Sequence, residues 1–151
     1  MFKEKQKIKI KKLTPEAVIP KYAKIGDAGM DLTAISKTVD PKYYFFEYGT
    51  GLAIEIPEGH VGLIFPRSSA TKTSMIQGNC VGVIDSNYRG ELKVRLKELG
   101  GSLFNFDKKQ YEIGERVAQL IIMPLPQVEF EEVEELTETE RGDGGFGSTG
   151  S

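Results

Sequence analysis

Between Asn79 and Glu91 the chain reads Asn-Cys-Val-Gly-Val-Ile-Asp-Ser-Asn-Tyr-Arg-Gly-Glu. Val81, Val83 and Ile84 favour extended backbone, while Gly78, Gly82 and Gly90 permit tight turns and close approach of a ligand to the main chain. The run is therefore predicted to be a β-hairpin with a bare backbone. Asp85 follows the second apolar pair and Tyr88 comes three residues later, which sets an acid and a flat ring beside that hairpin. A second group is Pro66-Arg67-Ser68-Ser69-Ala70. Either serine can cap a short helix there, and a capped helix start with hydroxyls and a fixed guanidinium suits an anion. A third is the tail from Arg141 to Gly150, where glycines let backbone N–H groups converge, Arg141, Ser148 and Thr149 can bind phosphate oxygens, and Phe146 can stack on a base. Each has a commonplace alternative: Asp85 as a turn residue, Tyr88 as a packing group, the tail as disordered chain.

The elements that must position these groups are strands. Ile8 and Ile10 alternate with lysines, a solvated edge; Met30, Leu32 and Ala34 share one face of a second strand. Tyr43 to Tyr48 is aromatic and strand-like. Leu52, Ile54 and Ile56 alternate up to the turn Pro57-Glu58-Gly59, and His60 opens a strand with Val61, Leu63 and Phe65 on one face. Leu92, Val94 and Leu96 alternate with Lys93, Arg95 and Lys97, Phe104 and Phe106 begin a further strand, and Val117 to Met123 is apolar on both faces apart from Gln119. Such a strand must be covered on both sides, so one face is expected to meet another subunit, and Gln119 needs a polar partner. With 151 residues, 17 of them glycine, this pattern predicts a single all-β sandwich or barrel.

Composition narrows the function. A formal charge of −2 gives no basic footprint for nucleic acid or an anionic membrane; one cysteine and one histidine exclude an internal disulfide and a zinc site built from that pair. No apolar run reaches signal-peptide or membrane-span length, so a soluble, cytoplasmic protein is expected. Seven glutamates lie between Glu129 and Glu140, which divides the chain into a domain of residues 1–140 and a flexible Gly-rich tail, 141–151, that the resemblance described below implies is a lid. Gly142, Gly144 and Gly147 match G-x-G-x-x-G, but no strand and helix follow, and Ser148 stands where a P-loop needs lysine.

Five segments in order, Ala28-Gly29-Met30-Asp31-Leu32, Pro66 to Ala70, Gly82 to Gly90, Gly114-Glu115-Arg116-Val117-Ala118-Gln119-Leu120 and Arg141 to Gly150, resemble the homotrimeric dUTPase family. The resemblance runs from about Pro20 onward. It implies a jelly-roll-like β fold with a C-terminal strand and tail exchanged between subunits, three sites at subunit interfaces, and Mg²⁺-dependent hydrolysis of dUTP to dUMP and pyrophosphate. That reaction supplies dUMP for dTTP synthesis and keeps uracil out of DNA. Asp85 would be the general base for water attacking the α-phosphorus. Arg67, Ser68 and Ser69 would bind phosphate oxygens, as would Arg141, Gly147, Ser148 and Thr149 from the lid. Asp31 and Gln119 would reach the metal through water, with no direct protein ligand. Asn79 and the main chain of Gly82, Val83 and Ile84 would read uracil, Tyr88 would pack on deoxyribose and Phe146 would stack on the base. A dCTP deaminase of the same fold and a nucleotide-switched regulatory protein are the alternatives.

Overall fold

The computed structural model describes residues 6–99 and 110–145. Ten strands occur among them: β1 (Lys9–Lys12), β2 (Met30–Thr33), β3 (Ser36–Asp40), β4 (Phe45–Gly49), β5 (Leu52–Glu55), β6 (His60–Phe65), β7 (Met75–Gln77), β8 (Gly82–Ile84), β9 (Lys93–Glu98) and β10 (Arg116–Pro124). A 3₁₀ turn, Ser68–Lys72, joins β6 to β7. The strands form two four-stranded sheets, β2-β10-β6-β8 and β3-β4-β9-β7, with β1 and β5 as a separate pair. This is the all-β architecture expected. No helix of the described residues is long and apolar enough to cross a membrane.

Alternation explains the core. On β9, Val94 and Leu96 are buried while Lys93, Arg95 and Lys97 face out, and the inner pair packs with Leu32, Tyr48, Leu52 and Leu120. Tyr48 is fully buried, so its hydroxyl needs an acceptor; it donates to the Tyr111 carbonyl at 3.0 Å. On β6 the core-facing residues are Gly62 and Ile64, and Leu63 and Phe65 lie on the partly exposed face. Gly62 is closely packed: a Cβ there would stand 2.6 Å from Ile56 Cδ1 and 3.2 Å from Ile84 Cβ, so those side chains would have to shift. β10 is central, paired with β2 and β6, and its outer face keeps Ile121 and Met123 partly exposed.

Several expectations are corrected. Asn79 to Glu91 is not a β-hairpin: β7 pairs with β9 in one sheet and β8 with β6 in the other. Residues 78–81 carry the chain across, with Cys80 in the left-handed region at φ 59. The aromatic strand starts at Phe45, because Asp40 Oδ1 accepts from the N–H groups of Lys42 and Tyr43 and makes a turn there. Neither Ser68 nor Ser69 caps a helix. The cap position is Arg67, without a side-chain cap bond, and the element is a five-residue 3₁₀ turn whose dipole is small. Phe104 and Phe106 lie outside the described residues. After β10 no strand occurs among the described residues, and Val128, Phe130 and Leu136 are exposed.

Candidate active site

Asp85 follows β8, the edge strand of its sheet among the described residues, whose outer side has no neighbouring strand among them. Main-chain N–H and C=O groups on such an edge are free to bond a ligand. Beside it is a cavity of about 500 Å³ lined by Gln77, Asn79, Gly82, Val83, Ile84, Asp85 and Tyr88, together with Phe45, Glu47, Lys93 and Arg95 across from them. Six residues singled out in the sequence thus meet in one place. The Asp85 carboxylate is exposed and makes no hydrogen bond or ion pair among the described residues, which leaves it able to accept from a ligand or water. The cations opposite are engaged: Lys93 Nζ lies 2.7 Å and Arg95 Nε 2.8 Å from Glu47. The Lys93 hydrogen bond holds the Glu47 carboxyl below its usual range, against the opposing effect of burial.

Tyr88 is fixed by its own turn. Its N–H donates to the Asp85 carbonyl at 3.1 Å and its hydroxyl to the Glu91 carbonyl at 3.0 Å. The ring lies against Gly90 so closely that a Cβ there would stand 2.3 Å from the hydroxyl oxygen. That contact, not backbone conformation, explains the glycine.

The residues expected to bind an anion lie elsewhere in the single chain. Arg67, Ser69, Lys72, Thr73, Tyr111 and Arg116 line a cavity of about 410 Å³, and none of them lines the first one. Asp31 organises this group. Arg67 donates to both its oxygens, Nε at 2.6 Å and Nη2 at 3.3 Å, and Arg116 Nη1 donates at 3.1 Å. Arg67 Nη1 also donates to Ser69 Oγ at 3.1 Å, so guanidinium and hydroxyl are held together. Gln119 donates to the Pro66 carbonyl at 2.9 Å, the partner its position requires, and lies over Gly29, where a Cβ would meet Oε1 at 2.6 Å. Burial raises the Tyr111 hydroxyl's pKa, and the hydroxyls of Thr73 and Ser69 beside it pull the other way.

Ser68 is exposed and does not line this cavity. Arg141 turns back on its own segment, donating to the Gly144 carbonyl at 2.9 Å, and reaches neither cavity. Phe146, Gly147, Ser148 and Thr149 lie outside the described residues. Sequence reasoning missed Gln77, Lys72, Thr73 and Tyr111 as lining groups. Gln77 carried a signal: it shares a face of β7 with buried Met75, and an amide placed inward needs partners.

The family model for dUTPase matches residues 15–150. The chain belongs to the dUTPase family. A deoxyuridine 5'-triphosphate nucleotidohydrolase of Clostridioides difficile is 43% identical over 144 residues, covering 95% of this chain and 97% of the relative. One from Nautilia profundicola is 47% identical over 145 residues, covering 95% and 99%. Among solved dUTPase structures, the Staphylococcus bacteriophage 80alpha enzyme with dUPNHPP superposes with a TM-score of 0.81 at 30% identity, covering 97% of this chain and 100% of that one. A dUTPase from phage phi11 of S. aureus, described with a structural Mg(II) ion, superposes with a TM-score of 0.71 at 25% identity, covering 86% and 98%.

Proposed function

We propose that this chain hydrolyses dUTP to dUMP and pyrophosphate at a site completed by two protomers of a homotrimer. The observation that carries this reading is an unpaired carboxylate, Asp85, set at the end of a free strand edge in a dUTPase fold. Uracil offers an acceptor, a donor and an acceptor along its pairing edge. The open side of β8 can receive that edge as a short partner strand, with the Asn79 amide as a further contact. Tyr88 covers the sugar and leaves no space for a 2′-hydroxyl. Asp85 orients a water toward the α-phosphorus and takes its proton. Arg67 and Ser69, with Ser68 on the exposed side of the same turn, bind phosphate oxygens from the neighbouring protomer. This arrangement accounts for the two cavities having no residue in common. The tail, with Arg141, Phe146, Gly147, Ser148 and Thr149, closes over the occupied site after strand exchange.

Magnesium fits this donor set only indirectly. No three His, Cys, Asp or Glu residues are grouped to hold a metal among the described residues, and both Asp31 oxygens are engaged by arginines. Asp31 and Gln119 would hold a Mg²⁺ ion through its waters, and the ion would supply neutralisation of phosphate charge.

Pyrophosphate release from dUTP, compared with dCTP, dTTP and UTP, tests the activity. Selective release from dUTP is expected, and ammonia release from dCTP would instead identify a deaminase. Sharing of the site is tested by mixing Asp85→Asn chains with Arg67→Ala chains through refolding. Each alone is expected to be inactive, and random mixing restores about a quarter of the sites if each site draws on two subunits. No recovery in mixed trimers would place both halves in one chain.

A further inference from the structure

We propose that Gln77 is a specificity-determining positioning residue, which sets the direction of the Asn79 amide and so makes this wall of the cavity a hydrogen-bond donor. Gln77 is 6% exposed and lies on β7, yet it bonds to the other sheet: Nε2 donates to the Ile64 carbonyl of β6 at 3.0 Å. The same nitrogen donates to Asn79 Oδ1 at 3.2 Å. A backbone carbonyl only accepts, so Ile64 fixes which end of the Gln77 amide faces it. With one Nε2 hydrogen spent there, the other leaves Asn79 no choice but to offer its oxygen. Asn79 Nδ2 is then turned toward Gly82, whose Cβ would lie 3.6 Å from it, on the cavity lining.

The direction of two amides is in this way dictated by one main-chain carbonyl. Gln77 Oε1 is buried without a partner, a cost consistent with the nitrogen side having first claim on the geometry. The inference rests on the reading that the base occupies this cavity. A base carbonyl meets a donor at Asn79, whereas the exocyclic amino group of cytosine meets N–H against N–H. Discrimination between the two bases is thus set partly by Gln77 acting through Asn79.

The test compares kcat/KM for dUTP and dCTP in the full-length protein and in Gln77→Met, Gln77→Glu, Asn79→Ala and the Gln77→Met/Asn79→Ala pair. Gln77→Met keeps the buried volume but frees Asn79 to rotate. The dUTP-to-dCTP ratio is expected to fall about tenfold, mainly through KM for dUTP, and to fall no further when Asn79 is already alanine. Gln77→Glu, which only accepts, draws the Asn79 nitrogen inward and exposes its oxygen, so the ratio shifts further toward dCTP. Thermal melts identify variants that remain folded. An unchanged ratio in folded Gln77→Met, or an equal drop in the Asn79→Ala background, overturns the inference while leaving the proposed activity intact. Loss of uracil preference in the unmodified protein would instead overturn the placement of the base.

Discussion

Replacing Gly90 with alanine isolates the geometry of Tyr88. The new Cβ would stand 2.3 Å from the tyrosine oxygen, 2.5 Å from Cζ and 2.9 Å from Cε2, against an ordinary contact beginning at 3.4 Å. The ring must therefore move by about 1 Å, and the 3.0 Å bond from its hydroxyl to the Glu91 carbonyl is lost with that movement. The bond contributes about 1 kcal/mol net, and both groups are near solvent, so the domain stays folded with a melting point lowered by a few degrees. The larger effect is on catalysis. Displacing a group that positions substrate by about 1 Å can cost about a hundredfold in rate, equivalent to roughly 2.7 kcal/mol of barrier. Steady-state kinetics on dUTP and UTP should show kcat/KM for dUTP falling by about that factor, with selectivity against UTP reduced. Tyr88→Phe, which keeps the ring and loses only the hydroxyl, should lose about tenfold or less. In a Tyr88→Ala background the Gly90→Ala change should add little. Full activity and unchanged sugar selectivity in Gly90→Ala would refute this account of the glycine.

Asp85→Asn keeps shape and removes basicity, so nucleotide binding measured by calorimetry should persist while turnover drops about 10²- to 10⁴-fold; undiminished turnover would remove Asp85 from the chemistry. Asp31→Asn takes the charge from a carboxylate whose side chain is 28% exposed and which receives two bonds from Arg67, so urea denaturation should register a loss of about 1 to 3 kcal/mol. The Arg116 pair adds little to that figure, its side chain being 58% exposed. Burial pushes the Tyr48 hydroxyl up to about 12 from 10.0, so the stability owed to its neutral form is complete below pH 10 and is lost as pH rises through about 12. Tyr48→Phe should cost about 1 kcal/mol at neutral pH by leaving the Tyr111 carbonyl without its donor, and should flatten the alkaline limb of a stability-versus-pH curve.

Alternation along one strand is local, and it was legible. The in-out pattern of Leu92, Val94 and Leu96 against lysine and arginine is the pattern of β9 as folded, and the Asp85–Tyr88 neighbourhood does gather at one cavity. Pairing is not local. Nothing in residues 75–84 says that β7 belongs with β9 and β8 with β6, because that choice is made by strands many residues away. The short strand Ser36–Asp40 was overlooked for a related reason: its mixed polar sequence is held by pairing with β4 rather than by burial of its own. Arg67 and Asp31 were each legible as functional types. Their bidentate contact across 36 positions was not, and it ties the Asp31 carboxylate to a guanidinium.

The separation of the two cavities has a thermodynamic consequence. Arg67, Lys72 and Arg116 line one, and the unpaired Asp85 lines the other. Were these groups within reach of each other in one chain, the carboxylate would pair with a guanidinium and be a poor base, as Asp31 already illustrates. Keeping them apart leaves Asp85 uncommitted, open to a ligand or water. On the proposed reading, substrate bridging two protomers binds the assembly and not the free chain. Its binding then stabilises the assembly by linkage, about 2.7 kcal/mol per site at a ligand concentration one hundred times Kd. On that reading substrate reinforces the contact that creates its own site, and dissociation on dilution, followed by sedimentation, must be more extensive without a non-hydrolysable nucleotide than with it.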